Sequence, residues 1–84
     1  MTHFTIRYRG TDWCGRLLLI VDDGQGAAYL FSGGQLQLRV GGDQAGPRLA
    51  SRLDGRVTWL AVPEVSPYTL DELRRIAAVP QAAD

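Results

Sequence analysis

The chain has 84 residues, with nine arginines, no lysine, nine acidic residues and therefore no net charge. A chain of this length makes one domain with a thin margin of burial over conformational entropy. Its single cysteine, Cys14, excludes an internal disulfide and a Cys-rich zinc site. Zero net charge removes the broad field that accompanies nucleic-acid or membrane-surface binding.

At the N-terminus, Phe4, Ile6 and Tyr8 alternate with Thr5, Arg7 and Arg9. This period of two predicts a first strand with one apolar and one polar face. Residues 10–15 form a glycine-bounded loop. The second strand, Arg16 to Val21, is apolar at every position from Leu17 onward, so both of its faces are expected to be buried. Leu17, Leu19 and Val21 lie on one side, Leu18 and Ile20 on the other. Asp22-Asp23-Gly24-Gln25-Gly26 reads as a hairpin connection. A third apolar strand, Ala27 to Phe31, leads to a tight turn at Ser32-Gly33-Gly34. The fourth strand, Gln35 to Val40, alternates with Leu36, Leu38 and Val40 inward.

After the loop 41–46, Pro47 suits a first helical position and Gly55 a stop, which predicts a short helix over 47–54. Val57 to Val62 reads as the fifth strand, ended by Pro63 and followed by an extended loop to Pro67. Thr69-Leu70-Asp71-Glu72 fits a capping box, with Leu70, Leu73, Ile76 and Ala77 as an apolar stripe. Asp71 and Arg75 are spaced for an i,i+4 ion pair. Pro80 stops this helix, and residues 81–84 are expected to fray.

The expected architecture is α+β: a mainly antiparallel sheet of about five strands, in the order β-β-β-β-α-β-α, with two short helices packed on one face. It forms a single domain over residues 1–84. Helices on one face would leave a second apolar face over, and exposed patches of that kind mark interaction sites. The expected interface set is therefore Leu17, Leu19, Val21, Trp59 and Trp13.

No set of residues reads as catalytic. His3 and Cys14 are separated by the whole first strand, and a nucleophile pair needs hydrogen-bond reach. Asp22, Asp23 and Asp43 lack the alternating spacing of a calcium loop, and turn chemistry explains them. The pairs Gly33-Gly34 and Gly41-Gly42 open no phosphate-binding helix, and without lysine there is no P-loop. Asp54 and Glu64 flank the fifth strand without an acid–base partner. Neither a cofactor nor a metal is expected.

The leading reading is a protein-interaction module or subunit acting through self-association or a protein partner. The alternative is single-stranded nucleic-acid binding by the polar face of the first strand. There His3, Thr5, Arg7 and Arg9 would hold phosphates and Trp13 would stack a base. The longest apolar run, about six residues, is far short of the ~20 that span a membrane. Met1 to Thr5 has neither a basic start nor an apolar signal core. A cytoplasmic protein is expected. The Arg-only basic set points to coding bias in a GC-rich genome, expected to be bacterial.

Overall fold

The computed structural model describes residues 3–53 and 57–78. They form β1 (Phe4–Thr11), β2 (Leu17–Asp22), β3 (Ala27–Ser32), β4 (Gln35–Gly41), α1 (Ala45–Ala50), β5 (Val57–Tyr68) and α2 (Leu70–Ala78). The expected stops at Gly55 and Pro80, the Asp54 carboxylate and the tail at 81–84 lie outside the described residues. The five strands make one sheet in the order β4-β3-β2-β1-β5, and every neighbouring pair is antiparallel. The class is α+β.

Hairpin chemistry sets the first four strands. Ser32 and Gln35 are paired across β3 and β4, so Gly33 and Gly34 are the two turn residues. Both have positive φ, 60° and 86°, which a two-residue hairpin of type I′ requires and which glycine adopts without strain. The β1–β2 turn is built on Asp12. Its Oδ1 accepts the N–H groups of Cys14 at 2.9 Å and Arg16 at 2.8 Å, and its Oδ2 accepts Arg16 Nε at 2.9 Å.

β2 is buried on both sides, as its unbroken apolar run requires: Leu19 is 1% exposed and Ile20 0%. The helices, however, do not share a face. Leu73 of α2 packs with Phe4, Ile6, Leu19, Val21 and Phe31. Leu49 of α1 packs with Tyr8, Ile20, Ala28 and Ala45. Consecutive β2 residues point to opposite faces, so one helix covers each. The expectation of two helices on one face is thus corrected. An apolar strand at the centre of an open sheet needs cover on both sides, and one helix per face supplies it.

Bulges in β1 and β4 redistribute their side chains between the two faces. Ile6 pairs with Val21 but Tyr8 pairs with Ile20, so Arg7 is an extra residue in β1. Tyr8 therefore leaves the face of Phe4 and Ile6 and joins the α1 side. Arg9, opposite Leu19, then lies on the α2 side. In β4, Leu38 pairs with Leu30 but Leu36 pairs with Phe31, leaving Gln37 as the extra residue. Leu38 and Val40 pack on the α1 side, whereas Leu36 falls on the other and is 51% exposed. The single inward face expected for Leu36, Leu38 and Val40 is divided by that bulge.

β5 runs to Tyr68, past Pro63 and Pro67, where the sequence predicts a loop from residue 63. A proline is tolerated there because β5 is an edge strand whose outer N–H groups need no partner. α1 begins at Ala45, so Pro47 is its third residue. Its missing N–H is still one of the first-turn donors that a helix leaves unpaired.

α2 has the predicted capping box. The Thr69 N–H donates to Glu72 Oε1 at 2.9 Å, and the Glu72 N–H donates to Thr69 Oγ1 at 3.2 Å. Asp71 pairs with Arg74 at 3.8 Å, not with Arg75. Thr69→Ala is expected to cost about 0.5–2 kcal/mol in urea unfolding. The hydrogen bonds from Thr69 hold the Glu72 carboxyl below its ordinary value. A carboxyl lowered on folding stabilises the protein above its unfolded pKa, and the contribution is lost as pH falls through the lowered one. Glu72→Gln should therefore be less stable than the parent near neutrality and equal to it in acid.

Candidate functional site

The face expected to be left over is covered. Leu17, Leu19 and Val21 are buried in the single chain, and Leu73 of α2 packs in the cluster they form. They are not surface residues, so their place in the expected interface set is corrected. The other two members are exposed: Trp59 by 60% and Trp13 by 80%.

Trp59 is held by the β1 bulge. Tyr8, turned to the α1 side, pairs with Trp59 of β5. Their rings meet edge-on, with centroids 3.8 Å apart and planes at 68°. Tyr8 is buried, and that burial raises its phenol above the ordinary value, so the ring beneath Trp59 stays neutral. α1 lies over β2, β3 and β4. The β5 side of the same face is where Trp59 stands in solvent. Trp13 sits in the β1–β2 turn, beyond the end of the strand pair where Gly10 meets Val57.

The two free edges of the sheet differ. β5 carries Pro63 and Pro67, which lack ladder donors. β4 has no proline, and its one charged side chain is folded back. Arg39 Nε donates to the Tyr29 hydroxyl of β3 at 3.2 Å, and that hydroxyl donates to Asp23 Oδ2 at 3.1 Å. The bulge at Gln37 nevertheless breaks the ladder, and Arg48 Nη2 occupies the Gly41 carbonyl at 2.6 Å. β1 is not a free edge: it lies between β2 and β5.

The alternative set does not share a surface. Arg7 is on the α1 side, with its Nη1 donating to Asp22 Oδ2 at 3.1 Å. Arg9 is on the α2 side, and Trp13 is in the turn. The polar face expected to unite Arg7 and Arg9 is split by the bulge between them, which nothing in the alternation of the sequence signals.

His3 and Cys14 stand at opposite ends of β1, roughly 25 Å apart for eight residues at ~3.3 Å each. That separation is far outside hydrogen-bond reach. Asp22 and Asp23 have turn roles: Asp22 Oδ1 accepts the Gly24 N–H at 3.1 Å, and Asp23 Oδ1 accepts the Gln25 N–H at 2.7 Å. Burial alone would raise the Asp23 carboxyl, but the N–H groups of Gln25 and Ala27 and the Tyr29 hydroxyl prevail and lower it. Among the described residues, no helix is long and apolar enough to cross a membrane. No protein-family model, no curated protein and no solved structure matches the chain, so the site is read from its own geometry.

Proposed function

We propose that the chain is a protein-interaction module that binds a second copy of itself, with Trp59 as the anchor and Trp13 as a second contact. The supporting observation is that both tryptophans stand largely in solvent in a chain with little core to spare. Tryptophan is over-represented among residues that dominate interface energetics. Covering the exposed part of Trp59, of order 100–150 Å², is worth about 2–4 kcal/mol at ~25 cal/mol per Å². A two-fold dimer gains this twice, because the same patch contributes from both copies. Trp59 is also preorganised: its seat on Tyr8 limits the rotamer entropy lost on docking.

Pairing through the β4 edge is the weaker route, because the bulge and the Arg48 contact shorten the open ladder. The reading as a single-strand nucleic-acid binder draws less support, since Arg7 and Arg9 occupy different faces.

Sedimentation at micromolar concentration should show a species heavier than the 9.2 kDa monomer, insensitive to salt. Tryptophan emission should shift to the blue as the concentration rises. Trp59→Ser should restore the monomer without altering the circular-dichroism spectrum. A strict monomer with constant emission overturns the proposal. Salt-dependent binding of single-stranded oligonucleotides by that monomer would favour the alternative.

A further inference from the structure

A cleft of about 450 Å³ opens on the α1 side, between the β1 bulge, the β2–β3 hairpin and the start of α1. That volume is within the ~300–1,000 Å³ of small-molecule sites. It exists because the residues around it are small. Its floor is Tyr8, Ile20, Ala28 and Ala45, all buried. Its walls are the backbones of Gly24, Gly26, Gly42 and Gly46, which send no side chain into the space.

The charges lie on the lining of this apolar hollow. The bulge brings Arg7 to the cleft, and bulges recur where a strand must re-aim a side chain. Among the described residues, only Nη1 of Arg7 is engaged, by Asp22. Both oxygens of Asp22 are engaged, Oδ2 by Arg7 and Oδ1 by the Gly24 N–H. A guanidinium has five donors, so Arg7 retains donors for an anion. Asp43, on the same lining, has no hydrogen-bond or ion-pair partner among the described residues. The cleft therefore offers a guanidinium with spare donors, held on one side by Asp22, and at Asp43 a carboxylate without a partner among the described residues, above an uncharged floor.

We infer that the cleft binds a small zwitterion of the α-amino-acid class. The carboxylate meets Arg7, the ammonium meets Asp43, and a short apolar side chain lies on the Tyr8–Ala28 floor. The inference is independent of self-association, because Trp59 is not among the cleft-lining residues.

The test is a titration of the isotope-labelled full chain, followed by amide chemical shifts. The probes are L-alanine and L-valine, with isovalerate and isobutylamine as the half-ligands of valine, each lacking one charge. Saturable shifts are expected at Gly24, Gly26, Ala28 and Gly42 with the amino acids. Each half-ligand should bind about tenfold more weakly, as should either amino acid to Arg7→Gln or Asp43→Asn, since a hydrogen bond to a charged group is worth at least a factor of ten. If Arg7→Gln alters the fold, Asp43→Asn alone decides. No saturable shift, shifts away from the cleft, half-ligands that bind as well as amino acids, or an indifferent Asp43→Asn each overturn the inference.

Discussion

Leu19→Ala and Ile20→Ala should each destabilise the protein by about 2–5 kcal/mol in urea unfolding, although the two side chains point in opposite directions. For 84 residues the total stability is about 4–13 kcal/mol, so either change removes a large part of it. Leu19 packs in the closed cluster with Phe31 and Leu73, where the space left by truncation cannot fill. Ile20 packs with Tyr8, Ala28 and Leu49 and also lines the open cleft. Both side chains are fully buried, so neither cost is softened by water reaching the gap. If either substitution behaved like a surface change, within about 0.5 kcal/mol, two-sided burial of β2 would be refuted.

Leu49→Ala and Leu73→Ala are expected to cost about 2–5 kcal/mol each, and their effects should add. Both leucines are fully buried, one in each helix. The sheet lies between them, and they pack in different clusters with no shared member. Sites more than ~7–10 Å apart without shared partners add to within about 0.3–0.5 kcal/mol. Helices packed side by side on one face would share neighbours and show a coupling beyond that limit. The double variant approaches the whole stability of the chain, so the cycle is measured in a stabilising osmolyte. Coupling above about 1 kcal/mol would place the helices together and contradict the structure.

Local chemistry was legible from the residues alone. Gly33-Gly34 between two apolar runs implies a two-residue turn, Thr69 to Glu72 implies a capped helix, and the unbroken run Leu17 to Val21 implies a strand buried on both sides. Each of these signals is carried by residues within a few positions of one another, and the energies behind them act over the same short range. The α+β class and the order of elements follow from adding such signals along the chain.

Only the tertiary structure decided the placement of the helices and the make-up of the surface. Nothing within α1 or α2 states which side of β2 it will cover, because either apolar stripe fits either apolar face. The choice depends on β5 crossing from the β4 edge to lie beside β1, a contact between residues some fifty positions apart. The bulges at Arg7 and Gln37 were equally hidden. A bulge is set by how two strands pair, whereas alternation within one strand looks the same with or without it. It is the Arg7 bulge that separates Arg7 from Arg9, seats Trp59 on Tyr8 and brings a guanidinium to the cleft. The candidate sites therefore depend on a pairing irregularity that one strand alone cannot encode, while the strands themselves are written in their side chains.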